Sequence, residues 1–164
     1  MGDIKTIWAP WRMQYILSEK TGGCIFCDLP KQDKERDRDN LILYRSSHNF
    51  VIMNRYPYNN GHIMVVPYFH TPLFDGLTDE TLLDFMKVTH YSVNCMKKAF
   101  MPEGFNIGIN IGKVAGAGLE EHMHLHMVPR WAGDTSFMTV FGEVRVVPEY
   151  IMSTYDKLFA VFNP

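Results

Sequence analysis

The sequence Glu121-His122-Met123-His124-Leu125-His126-Met127-Val128-Pro129-Arg130 alternates histidine with an apolar residue at a period of two. In a β-strand His122, His124 and His126 share one face, while Met123, Leu125 and Met127 share the other and pack inward. On a helix the same spacing spreads the imidazoles around the cylinder and no single site forms. Imidazole is the side chain suited to nucleophilic and proton-transfer work near neutral pH. A solvated strand face with chance histidines is the plain alternative. The strict alternation, closing on Pro129-Arg130, favours a working site.

The rest of the chain supplies a frame for that strand. Leu41 to Arg45 and Asn49 to Asn54 read as strands joined at Ser46-Ser47-His48. Tyr56 to Gly61 is a turn cluster, and His62 to Pro67 is a β-branched run that closes a hairpin over 49–67. Thr78 is an N-cap candidate with Asp79 and Glu80 behind it. Leu82, Phe85, Met86, Val93, Met96 and Phe100 then recur at helical spacing up to Pro102. Phe105, Ile107 and Ile109 alternate with Asn106, Gly108 and Asn110 as in a strand. Gly112 to Gly118 is a small-residue loop. A β-rich piece at Val144–Val147 and a helix from about Pro148 to Phe162 follow the histidine strand. Strands, a helix and returning strands without regular βαβ alternation predict an α+β domain with a mainly antiparallel, five-stranded sheet, one long helix and a C-terminal helix. At 164 residues a single domain is expected, with a Trp-rich lead-in over 1–23 and a C-terminal extension over 138–164.

Bulk properties narrow the function. The net charge of −2 gives no basic field for duplex nucleic acid. No apolar run reaches membrane-span length, and the N-terminus has no signal-peptide core, so a membrane role is not expected. Three cysteines make no disulfide framework, and a reducing, cytoplasmic setting fits best.

Two uses of the histidines are open from the residues alone. Neighbouring imidazoles on a strand lie about 6.5–7 Å apart at the backbone, so two can pinch one metal ion. The alternative is covalent: a histidine nitrogen attacks phosphorus, takes up a nucleotidyl group and releases it to an acceptor. The glycine loop before the strand suits phosphates, with Lys113 and Arg130 as added charge. Cys24-Ile25-Phe26-Cys27 is half of a zinc site, a redox pair or a chance pair, and the thioredoxin-like setting of a redox pair is missing. His48 reads as a turn residue, His90 as a helix-surface residue and Cys95 as a small buried one.

His122-Met123-His124-Leu125-His126-Met127-Val128 resembles the histidine triad motif of the HIT superfamily of nucleotidyl hydrolases and transferases. Asn54-Arg55-Tyr56-Pro57-Tyr58-Asn59-Asn60-Gly61-His62 is similar to the matching segment of its fragile-histidine-triad branch. Trp8 to Trp11 and Val128 to Asp134 resemble the diadenosine tetraphosphate phosphorylase type. A glutamine that precedes the triad in the fragile-histidine-triad enzymes is replaced here by Gly118-Leu119-Glu120-Glu121.

The resemblance implies a HIT-like fold and a role for each matching residue. His124 is the expected nucleophile on the α-phosphorus, opening on a pocket that accepts an anionic ester. His126 contacts a phosphate oxygen, and His122 completes the triad. Asn54 holds the ribose, and His62, Asn110, Gly116 and Gly118 lie near the phosphates. A structural zinc is expected on Cys24, Cys27, His70 and His122, with no organic cofactor. A homodimer and a diadenosine polyphosphate-type substrate are implied, with water or inorganic phosphate as acceptor. A nucleotide-binding regulator of weak turnover is the alternative.

Overall fold

The computed structural model describes residues 23–116, 118–134 and 149–164. Two short turns of helix, α1 (Ile25–Asp28) and α2 (Asp37–Asn40), lead into a hairpin-rich sheet. Its strands are β1 (Ile42–Arg45), β2 (Asn49–Met53), β3 (Ile63–Pro67), β4 (Gly104–Ile109) and β5 (Leu125–Arg130). They lie in the order β1-β2-β3-β5-β4, and each adjacent pair is antiparallel. The α+β architecture and the five-stranded antiparallel sheet agree with the sequence reading. Residues Trp8 and Trp11 and the β-rich piece at 144–147 lie outside the described residues.

Between β3 and β4 runs the long helix α3 (Asp79–Phe100). Its start is capped as the sequence suggests: the Thr81 backbone N–H donates to Thr78 Oγ1. It stops at Met101, whose left-handed φ of 48° turns the chain just before Pro102. The buried stripe is Thr81, Phe85, Val88, Thr89, Ser92, Cys95 and Met96. Met86, assigned to that stripe from sequence, is 60% exposed, because it lies about 100° around the helix from Phe85. Thr89 tolerates burial by donating its hydroxyl to the Phe85 carbonyl, 2.7 Å away.

The C-terminal helix α4 (Ile151–Phe162) belongs to the same hydrophobic cluster as the sheet, through Tyr155, Leu158 and Phe162. Two hydrogen bonds fix it: Tyr155 Oη donates to the Ile42 carbonyl at 2.9 Å in the interior, and Tyr91 Oη to the Phe162 carbonyl at 2.8 Å in a half-buried position. The β2–β3 turn is a second anchor. Asn59 Nδ2 donates to Asp134 at 2.8 Å, and Asn60 contacts both Glu149 and Thr154. No helix among the described residues is long and apolar enough to cross a membrane.

The histidine run is extended in its packing but joins the sheet late. Paired strand begins at Leu125, not at His122. The Met123 N–H donates instead to the Thr71 carbonyl at 2.7 Å, which ties the run to the segment after β3. Met123, Leu125 and Met127 are buried as expected. His122 and His124 are buried too, at 0% and 5% exposure, because the Cys24–Cys27 turn covers their side of the chain.

Candidate active site and metal centre

Strand register gathers the polar residues on one face. Gly108 and Met64 both pair with His126, and Ile109 pairs with Leu125, which puts Asn110 at the level of His124. The Asn54 N–H donates to the His62 carbonyl at 2.9 Å, so these two residues sit side by side at the hairpin mouth. Asn54 Oδ1 accepts from the Tyr56 N–H. Gly116, with φ of 84°, and Gly118 are exposed in the loop between β4 and the triad.

Hydrogen-bond partners fix the protonation of each imidazole. His124 Nδ1 lies 2.9 Å from the His122 carbonyl, which can only accept. Nδ1 therefore carries the proton, and Nε2 is left with a lone pair. The Tyr58 backbone N–H can only donate, and it points at His62 Nδ1 from 3.1 Å. In the neutral ring His62 Nε2 then bears the proton and donates to His126 Nδ1 at 2.9 Å. His126 in turn carries its own proton on Nε2. The site thus holds one imidazole with a basic nitrogen, His124, beside another that presents a donor, His126, with ring centroids 4.7 Å apart. Burial holds the His124 pKa below the ordinary imidazole value, and burial plus the neighbouring His124 push His126 down to about 4. Both are neutral near pH 7.

The expectation of an open pocket at His124 needs correction. Phe26 packs on the ring at 5.0 Å, and at 5% exposure the imidazole lies in the interior. His126 is the partly exposed member of the triad. A cavity of about 490 Å³ lies against the neighbouring cluster instead, lined by His70, Leu73, Ile111, Gly112, Glu120 and Glu121 among others. Arg130, expected to add charge for phosphates, is held by Asp134 through two bonds of 2.6 and 2.7 Å and donates to Asn106.

Cys24, Cys27, His70 and His122 converge from three separate parts of the chain, with their ligand atoms all within 4.8 Å of one another. His122 Nδ1 is 3.3 Å from Cys24 Sγ, 3.6 Å from Cys27 Sγ and 3.2 Å from His70 Nδ1. Cys27 Sγ is 3.3 Å from His70 Nδ1. Tetrahedral zinc with two sulfur and two nitrogen ligands sets such edges at about 3.3–3.8 Å. His122 Nε2 lies 2.8 Å from the Pro67 carbonyl, so its proton is there and Nδ1 has the lone pair that a metal requires. Burial, and then the Cys24 thiol beside it, raise the Cys27 pKa, a balance that a bound divalent cation reverses by stabilising both thiolates. The donor set fits a zinc ion.

A family model described as HIT domain matches residues 35–133. The chain belongs to the HIT domain family. An AP-4-A phosphorylase of Mycobacterium tuberculosis is 34% identical over 161 residues, covering 93% of this HIT protein and 81% of the relative. A bis(5'-nucleosyl)-tetraphosphatase [asymmetrical] of Schizosaccharomyces pombe is 30% identical over 95 residues, covering 58% of this chain and 52% of the relative. Among solved structures, a zinc-bound histidine triad family protein from Mycobacterium smegmatis superposes with a TM-score of 0.67 at 26% identity, covering 86% of this chain and 94% of that one.

Sequence reasoning named the four metal-cluster residues and the His62–His126 neighbourhood. It missed Phe26, Tyr58, Pro67 and Gly108. Tyr58 stacks on His126 and packs at a tilt on His62, with centroids 5.6 and 4.6 Å away. The signal for Phe26 was its place between the two cysteines. That for Gly108 was a missing side chain on the polar face of β4, next to Asn106 and Asn110.

Proposed function

We propose that this HIT protein is a nucleotidyl hydrolase or transferase that cleaves the α-phosphate linkage of an adenine nucleotide of the diadenosine polyphosphate type. His124 Nε2 attacks the α-phosphorus, a P–N bond forms, and the P–O bond to the leaving phosphate breaks with its electron pair on that oxygen. His126 Nε2–H donates to a phosphate oxygen and steadies the charge that develops there. Water or inorganic phosphate then attacks the phosphorus, and the electron pair of the P–N bond returns to Nε2. Any proton on the attacking oxygen, whether of water or of inorganic phosphate, is released to solvent. Asn54 holds the ribose, and His62, Asn110, Gly116 and Gly118 flank the phosphates. A zinc ion on Cys24, Cys27, His70 and His122 supplies structural cross-linking when bound.

The observation that carries this reading is the tautomer pair: a lone pair on His124 next to a donor on His126, both set by fixed partners. Similarity to the AP-4-A phosphorylase of Mycobacterium tuberculosis and the bis(5'-nucleosyl)-tetraphosphatase of Schizosaccharomyces pombe supports the substrate class. Homodimerisation in the cytoplasm belongs to the same proposal, with the long helix α3 and the adjoining strand β4, one of the sheet's two outer strands, as the pairing surface.

Incubation with diadenosine tetraphosphate, with and without inorganic phosphate, tests it. ADP plus ATP marks phosphorolysis, and AMP plus ATP marks hydrolysis. Quenching during turnover traps an acid-labile, base-stable adenylyl adduct that His124→Ala abolishes. The 5% exposure of His124 favours a second reading, a nucleotide-binding regulator of negligible turnover. Micromolar nucleotide binding without adduct or product decides for that reading.

A further inference from the structure

The Cys24–Cys27 turn touches the triad in two places. His122, a metal-cluster residue through Nδ1, offers its backbone carbonyl to His124 Nδ1 at 2.9 Å. Phe26, held between the two cysteines at 2% exposure, lays its ring against His122 at 5.5 Å and His124 at 5.0 Å. The bond that keeps the lone pair on His124 Nε2 therefore ends on a residue whose side chain is a metal ligand. One wall of the His124 ring, Phe26, hangs from the turn between two more ligands. His122 is also fixed from behind by the Pro67 carbonyl, and its neighbour Met123 by the Thr71 carbonyl.

We infer that the four-residue metal centre is the positioning device of the nucleophile, acting on His124 through the His122 carbonyl and the Phe26 ring. This rests on the reading of His124 as nucleophile. His122 and Phe26 are positioning residues, because neither needs to touch the reacting atoms. With a cation in place, His122 has three fixed points: its Nδ1, its Nε2 on Pro67 and the backbone at Met123. Its carbonyl then has one direction, and the His124 ring has one favoured tautomer and one favoured plane. Without the cation the Cys24–Cys27 turn is released from His70 and His122, and Phe26 swings with it. The His124 ring then samples the second tautomer, in which Nε2 bears the proton and cannot attack phosphorus. Misplacement of a reacting group by about 1 Å costs on the order of 100-fold in rate.

The test uses the full chain labelled with ¹⁵N-histidine, first loaded with Zn²⁺ and then stripped by a chelator, at one fixed pH. In the loaded protein His124 Nδ1 is expected to resonate as a protonated nitrogen and Nε2 as a bare one. Stripping is expected to average the two signals, and Zn²⁺ alone is expected to restore them. An unchanged His124 signature after stripping, with His70 and His122 signals moved, overturns the inference. So does failure of the chain to bind Zn²⁺. Should the stripped chain unfold, Phe26→Leu in the loaded protein takes over. It is expected to keep Zn²⁺ bound, to lower kcat about tenfold with KM unchanged, and to broaden the His124 ¹⁵N signals. Unaltered kcat and unaltered signals in that variant overturn the role of Phe26. A metal-dependent tautomer signature without any adenylyl adduct upholds the positioning and refutes the nucleophile. An adduct formed equally fast with and without metal does the reverse.

Discussion

His62, just ahead of β3, meets His126 of β5, Nε2 to Nδ1 at 2.9 Å, so an imidazole outside the triad decides which nitrogen of a triad imidazole carries the proton. His62 is itself set by the Tyr58 backbone N–H, and it is fully buried. His62→Leu removes the donor and leaves that N–H unanswered. Stability is expected to fall by about 1–3 kcal/mol in urea unfolding, and kcat by about 10- to 100-fold. His62→Gln, which keeps a donor, is expected to recover part of both. Equal kcat in Leu, Gln and wild-type proteins would refute a tautomer role for His62.

Acid should weaken the fold through His126. Its folded-state pKa is pushed down to about 4 by burial and by His124, against about 6.5 when unfolded. Between these values the unfolded chain binds the extra proton, so stability is complete above about pH 6.5 and is lost as pH falls toward 4. Urea midpoints at pH 7.5, 6.5 and 5.5 are expected to hold steady and then drop. His126→Asn is expected to flatten the drop. A slope identical in both proteins would remove His126 as its source.

Gly108 stands opposite His126, and a Cβ built there meets nothing within 4 Å. Gly108→Leu should fold normally, because the strand φ suits any residue, yet fill the space above His126. Its KM for diadenosine tetraphosphate is expected to rise on the order of tenfold, the equivalent of about 1.4 kcal/mol of binding. An unaltered KM would mean that substrate does not pass over this part of the sheet.

Tyr155 fastens α4 to β1 through the Ile42 carbonyl, and burial pushes its phenol pKa up to about 12. Tyr155→Phe keeps the ring and deletes the bond. A loss of about 1–2 kcal/mol is expected from urea unfolding at pH 7, with turnover retained. A larger loss accompanied by loss of turnover would show that α4 also shapes the site.

Much of this was legible in the residues because the local signals and the fold agree. The Thr78 cap, the stop at Pro102 and the 49–67 hairpin are local codes, and the structure follows them. The histidine alternation gave the right packing faces but the wrong strand start, since Met123 finds its backbone partner at Thr71, a long-range contact that periodicity does not carry. Helical spacing also misjudged Met86. Seven buried positions on α3 include Thr81, Thr89 and Ser92, whose polarity hides them from an apolar count. The burial of His124 depends on Phe26, almost a hundred residues earlier, and no pattern within the triad reports it.

Adjacent residues at the tip of one hairpin grip both flanks of a distant stretch: Asn59 holds Asp134, and Asn60 holds Glu149. The polypeptide between those two acidic residues leaves from and comes home to the same corner. Asn59 and Asn60 stand three and two residues ahead of His62, so a pull on either acidic residue is felt at the hairpin mouth where His62 and Asn54 sit.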